Sequence, residues 1–352
     1  MPSWLADYRR AWLPGDLLAA LVVAVMLIPQ AMAYAMLAGL PPQSGLYAAI
    51  LPLAVYAWFC SSRYLAVGPV ALICLMTASI LTPGFQPGTP GYAAAALGLA
   101  LLTGLILLVT GLLRFGALVS YLSHPVLSGF TSAAAIIIAL SQLGPLLGVT
   151  LDLHGNAVDA LALLLPKLGS VHLPTVAVSG LSLALLLLSR TPLARLLRRL
   201  ALPEPMVTAL TKTGALLLVL LAILGSGMLD LGPRYGVRLV GSLPAALPSL
   251  SLPPLERELL GRLLPGAALL ALVAFVSSIS VARSLASKHR QKVSGNRELV
   301  ALGLANLGAA FSGAFPVAGG FSRSAVNFSA GANTPLASVL TALLVALATL
   351  LL

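Results

Sequence analysis

With 352 residues, 59% of them hydrophobic and 8% charged, the chain carries too few charges for a soluble globular domain, where they make up about a quarter. The formal net charge of +11 raises nucleic acid as a partner. The basic residues stand in short loops between apolar runs, however, which is the pattern that orients membrane proteins, so composition predicts a polytopic protein of the lipid bilayer and no nucleic acid.

Residues 1–15, MPSWLADYRRAWLPG, read as an amphipathic leader, with Trp4 and Trp12 as interfacial anchors and Arg9 and Arg10 holding it in the cytoplasm. Apolar spans follow at Asp16 to Ala38 and Gly45 to Cys60. The next stretch, SSRYLAVGPVAL (Ser61 to Leu72), places polar residues and a Gly-Pro pair between apolar pieces too short to cross a bilayer separately. It predicts an extended segment feeding a half-helix from near Pro69, since proline suits the first turn. Further spans are expected at Tyr92 to Leu113, Pro125 to Val149, Leu173 to Ser189 and Val207 to Gly225. A proline-rich loop, Met228 to Arg262, precedes spans at Leu263 to Ala282 and Leu299 to Ala314. A second interruption, FPVAGGFSRSAVNF (Phe315 to Phe328), then leads to a last apolar run, Pro335 to Leu352. The full spans approach the ~20 residues a helix needs to cross a membrane.

With the N-terminus inside, the loops assigned to the cytoplasm hold most of the lysines and arginines, and the outer loops only Lys167, Arg234, Arg238, Arg257 and Arg262. That asymmetry supports the topology. Cys60 and Cys74 lack Cys-x-x-Cys spacing and read as small core residues, and the four histidines are scattered. No metal, cofactor or catalytic constellation follows, and the chain reads as no enzyme. None of the nine acids stands at the centre of a predicted span, so a buried proton carrier is not expected.

The second interruption holds one arginine, Arg323, after Pro316, Gly319 and Gly320, residues that do not support a continuous helix. A charge at bilayer depth costs about 2.5–3.5 kcal/mol unless it lines water or a ligand, which marks it as functional. Nearly the same offset separates Pro69 from Arg323 as Pro29 from Ser277. An internal repeat predicts this, and the odd number of intervening spans requires the second copy to be inverted, the plan of secondary transporters with broken helices. Two half-helices would aim their N-terminal N–H groups at one spot, an anion site, with Arg323 adding a full charge and Ser322 and Ser324 hydroxyl donors. Val70 would wall that pocket with apolar surface.

The run LVVAVMLIPQAMAYAMLAGLPPQSGLYAAILPLAVYAWFCSSRYLAVGPVAL (Leu21 to Leu72) resembles the first three membrane elements of the SulP family of anion transporters. NRELVALGLANLGAAFSGAFPVAGGFSRSAVNFSAGANTPLAS (Asn296 to Ser338) resembles its ninth to eleventh elements. The resemblance implies an all-α fold of 14 membrane elements in two inverted sets of seven, with two broken helices preceded by short extended strands. About 11 of the 14 are present, and the last gate helices and a STAS domain are expected beyond the end of this sequence. The implied division is a leader at 1–15, a core domain at 16–113 and 263–352, and a gate domain at 114–262.

The resemblance also places Gln30 and Tyr34, one turn apart on the first span, in the substrate pocket, and Ser322 close to substrate. Many bacterial relatives have a glutamate at the position of Ser277, and its absence argues for anion exchange or uncoupled movement over proton coupling. The expected function is elevator-type transport of sulfate, bicarbonate, chloride or a dicarboxylate across a bacterial inner membrane, by a protein expected to form a homodimer. The alternatives are a nucleobase transporter of the same fold, disfavoured by the lack of core carboxylates, and a nontransporting scaffold or voltage-responsive element.

Overall fold

The computed structural model describes residues 3–116, 124–149, 165–199, 214–239, 241, 246–287 and 291–351. Two compact units divide the chain, Met1–Gly129 with Ser242–Leu352, and Phe130–Gly241. In chain order the main elements are α1 (Leu13–Leu37), α2 (Pro42–Phe59), β1 (Val67–Gly68), α3 (Ala71–Leu81), α4 (Pro90–Leu112), α5 (His124–Leu147), α6 (Leu173–Arg199) and α7 (Gly214–Met228). They continue with α8 (Arg257–Ser287), α9 (Gly295–Phe311), β2 (Ala318–Gly319), α10 (Phe321–Ser329) and α11 (Leu336–Leu351). Among the described residues, three helices are long and apolar enough to cross a membrane: Arg10–Leu37, Pro90–Leu112 and Arg257–Ser287. The smaller unit holds most of α5, then α6 and α7, with the His172 N–H donating to the Leu147 carbonyl at 3.1 Å.

Each predicted span has a helix, with differences of extent: the sixth continues past Ser189 to Arg199, taking in residues expected in a cytoplasmic loop. Residues 207–213 of the seventh span, with Lys288 and Arg290, lie outside the described residues. The eighth begins earlier than predicted, at Arg257, and its first turns carry an exposed Glu258–Arg262 ion pair at the i,i+4 spacing. The half-helices start at Ala71 and Phe321, later than Pro69 and slightly before Arg323. Val70 (φ −133°, ψ 134°) and Gly320 (φ −94°, ψ 126°) remain extended, so Pro69 belongs to the strand segment.

The larger unit packs through small residues, as membrane helices do in the absence of a hydrophobic drive between apolar faces. Leu27 and Ala31 of α1, Leu46, Ala49 and Leu53 of α2, and Ala342 and Val345 of α11 form one buried cluster. At the α1–α2 crossing a Cβ on Gly45 would stand 1.9 Å from the Ala31 carbonyl oxygen. Where α4 crosses α9, a Cβ on Gly303 would come within 2.6 Å of the Leu108 nitrogen. Backbone contact at these crossings leaves no room for a side chain.

β1 and β2 pair antiparallel, Val67 opposite Gly319 and Gly68 opposite Ala318. The Gly320 N–H extends the ladder to the Ala66 carbonyl at 3.2 Å. Because the strands run in opposite senses, α3 and α10 leave the pair from opposite ends, each N-terminus facing back across it. Side chains complete the pairing. The Ser278 hydroxyl of α8 accepts the Gly319 N–H at 2.8 Å, and Asn306 of α9 both accepts from the Val317 N–H and donates to its carbonyl, at 2.9 and 3.0 Å.

Two carboxylates are buried at helix starts, away from the span centres. Asp16 and Glu298 are fully buried, although each stands in the first turn of its helix. Asp16 accepts the N–H groups of Asn333 and Thr334 at 2.6 and 3.0 Å and the Thr334 hydroxyl at 2.6 Å. Glu298 accepts the N–H groups of Ser61 and Ser62, the Ser61 hydroxyl and the Tyr56 hydroxyl, at 2.5–2.9 Å. Both oxygens of each acid bond donors from distant loops, which repays the burial of the charge.

The glycine crossings generate a test. Gly45→Ala drives a methyl into the Ala31 carbonyl and should cost about 1–3 kcal/mol, read as a fall in thermal unfolding temperature in detergent. Gly84→Ala, whose added methyl meets nothing within 4 Å, should leave that temperature in place.

Candidate anion site

The two interruptions make the site. In α3 the first recorded turn closes from the Cys74 N–H to the Val70 carbonyl at 3.0 Å, and in α10 from the Ser324 N–H to the Gly320 carbonyl at 3.1 Å. The N–H groups before them have no acceptor within their own helix. Each helix start therefore presents donors and a partial positive charge of about half a unit.

Arg323 lies in the first turn of α10 and is 2% exposed. Its guanidinium rests on backbone that only glycine leaves open: a Cβ at Gly68 would stand 2.9 Å from Nη1, and one at Gly320 would stand 3.0 Å from Nη2. Nη2 donates to the Pro69 carbonyl at 3.1 Å, so the arginine of one interruption closes on the backbone of the other. Nε and Nη1 are buried without a hydrogen-bond partner. The Tyr34 hydroxyl and the Cys74 thiol interact with it electrostatically. A buried guanidinium at a helix start, with two donors unfilled, has the character of an acceptor-binding site.

The other predicted residues divide into two groups. Gln30 and Tyr34 face this region from α1: the Gln30 amide donates to the Tyr34 hydroxyl at 2.9 Å, and Gln30 Oε1 is buried without a partner. Val70, half-buried, is the N-cap of α3. Ser322 is exposed in the first turn of α10. Ser277 is half-buried on α8 and donates to the Ala274 carbonyl at 3.2 Å. Ser324 has a different job from the donor role expected of it. It is fully buried, donates to the Gly320 carbonyl at 2.6 Å and accepts the Ala66 N–H at 2.9 Å. Its one proton is committed, and its oxygen pins the end of β1.

Sequence reasoning passed over Asn327, one turn after Arg323, whose amide donates to the Tyr64 carbonyl at 3.1 Å and whose Oδ1 is buried without a partner. Its place four residues after Arg323 on a short polar helix was the available signal. An apolar cavity of about 230 Å³ between α4, α8 and α9 is lined by residues such as Leu107, Ala271 and Phe275. It includes none of the site residues and offers an anion no charge.

Comparison with known proteins gives a consistent picture. The model of the Sulfate permease family matches residues 13–352. A probable sulfate transporter of Mycobacterium tuberculosis is 40% identical over 338 residues, covering 95% of this chain and 56% of the relative. Solute carrier family 26 member 6 of Homo sapiens is 35% identical over 366 residues, covering 98% and 46%. The solved structure of SLC26A9 superposes with a TM-score of 0.86 at 25% identity, over 99% of this chain and 55% of that one. The transmembrane domain of the cyanobacterial bicarbonate transporter BicA shares the fold, with a TM-score of 0.81 at 24% identity over 97% and 84%. The chain spans about half the length of the curated relatives it matches.

The two serines flanking the arginine should separate on substitution. Ser324→Ala strips the Ala66 N–H of its acceptor in a buried setting and should cost about 1–3 kcal/mol of stability. Ser322→Ala, at an exposed position, should stay within about 0.5 kcal/mol. Thermal unfolding of the two variants side by side reads the difference.

Proposed function

Because the chain belongs to the Sulfate permease family, we propose that it forms the membrane part of a secondary transporter of small anions. The anion sits between the N-termini of α3 and α10, against Arg323. The single observation that carries this reading is a guanidinium 2% exposed, with two unpartnered N–H donors and, among the described residues, no salt-bridging carboxylate. Sulfate is favoured because relatives are named as sulfate transporters, and bicarbonate, chloride and dicarboxylates present the same acceptors. Gln30, Tyr34 and Ser322 complete the polar lining, Val70 walls it and Ser277 borders it from α8.

Two inverted repeats account for the antiparallel pairing of β1 with β2, since one strand belongs to each copy. The larger compact unit takes the role of substrate-holding core and the smaller that of gate, with transport by an elevator-type shift of one past the other. Exchange or uncoupled movement fits better than proton coupling, because no acid stands at the centre of a predicted span and the buried Asp16 and Glu298 tie backbone and hydroxyl donors at helix starts. The loop charges favour a bacterial inner-membrane protein with a cytoplasmic N-terminus, and a homodimer is the assembly we assign.

Arg323→Ala should weaken binding of labelled sulfate, or of whichever anion of a panel the native protein takes up, by about 2–5 kcal/mol, the cost of truncating one side of a buried charge pair. Arg323→Lys keeps the charge and loses the fork, so it should fall between. Arg262→Ala, at an exposed ion pair, should bind as the native protein does. Scintillation proximity binding with uptake into proteoliposomes measures all three, and native affinity in Arg323→Ala would overturn the assignment.

A further inference from the structure

The chain has three tryptophans, Trp4, Trp12 and Trp58, and all three gather at one end of the larger unit. The Trp4 indole donates to the Ala57 carbonyl near the end of α2 at 2.9 Å, which ties the N-terminal segment to that helix. Tyr8 meets Trp12 edge to face at 6.1 Å. The guanidinium carbons of Arg9 and Arg63 lie 5.6 and 5.8 Å from the centre of the Trp12 ring. Arg63 comes from the linker between α2 and β1, so Trp12 draws together arginines distant in sequence.

Arg9, Arg10 and Arg63 are exposed. Arg297, half-buried, adds a fourth guanidinium by donating from Nε to the Phe59 carbonyl at 3.1 Å. The acids nearest in the chain do not neutralise the group: Asp7 is a single exposed carboxylate, and Asp16 and Glu298 are buried and hold donors elsewhere. Beside the arginines stand large exposed apolar side chains, Leu13, Leu17, Trp58 and Phe59.

Cations over indole rings, bordered by apolar surface that continues along two membrane helices, match the layering of a lipid leaflet, with phosphate outermost and acyl chain beneath. The positive-inside pattern needs basic residues at this end, but it does not need them converged on one ring. We propose that this cluster is a binding site for anionic phospholipid headgroups, with Arg9, Arg10 and Arg63 engaging the phosphate and Trp12 holding Arg9 and Arg63 at headgroup depth. The site lies on α1, α2 and the segment before them, distinct from the anion site at Arg323, and it does not depend on the transport reading.

Because the tryptophans are all in the cluster, their fluorescence reports on it without labels. The native protein is reconstituted in phosphatidylcholine bilayers in which a fixed fraction of lipid is brominated phosphatidylglycerol or, in parallel, brominated phosphatidylcholine. The quenching data should give a relative association constant at least about fivefold in favour of the anionic lipid, the enrichment one engaged arginine supplies, and high salt should reduce it. The triple variant R9Q/R10Q/R63Q should bring the ratio to one. A ratio of one in the native protein, or a ratio that survives in the folded triple variant, would overturn the proposal. The native measurement decides it even if the variant fails to fold.

Discussion

A chain that leaves the helical state at bilayer depth has no water to satisfy its exposed N–H and C=O groups, and each one left bare costs several kcal/mol. Two breaks in one protein double that demand. The larger unit meets it by placing the breaks against each other as the β1–β2 pair and by spending a set of buried polar side chains on what remains. Ser278 takes Gly319, Asn306 takes both groups of Val317, Ser324 takes Ala66, Ser62 takes Leu65 and Asn327 takes Tyr64. Glu298 does the same for Ser61 and Ser62, and Asp16 for the turn before α11. Apart from Ser62, which lies in the linker before β1, these side chains come from α1, α8, α9 and α10, so the interruptions stay in register only while the surrounding helices hold their packing.

Against that pairing, the unfilled groups near the breaks carry meaning. Arg323 keeps two donors open, and Gln30 and Asn327 each keep an acceptor open. The guanidinium is wedged against Gly68 and Gly320 beside helix starts of its own sign, the arrangement on which the proposed anion site rests. The same scaffold that prevents bare backbone thus concentrates positive potential at one point, and membership of the Sulfate permease family fits that chemistry.

Much of this was legible in the sequence because breaks and charges are local signals. Gly68-Pro69 and Pro316 with Gly319 and Gly320 cannot continue a helix, and Arg323 is conspicuous in an apolar run. What stayed hidden was pairing at long range. Glu298 reads as a surface acid at a helix start until the Ser61 loop, 237 residues away, folds over it, and Asp16 likewise until Thr334 arrives from 318 residues away. Ser324 reads as a ligand donor because its type and place beside Arg323 suggest it, while its actual partners, Gly320 and Ala66, depend on how the strands register. The starts of α3 and α10 were displaced for a related reason: proline and arginine mark the neighbourhood of a break, but strand pairing decides where extended backbone ends.

The central claim is that an anion completes Arg323 between the two helix starts. Selenate, a heavy isostere of sulfate, can be located in the native protein by anomalous diffraction. The account predicts a selenium peak in contact with Arg323 Nε or Nη1 and the first turns of α3 and α10. A saturating peak elsewhere, with the guanidinium still unpartnered, would contradict it.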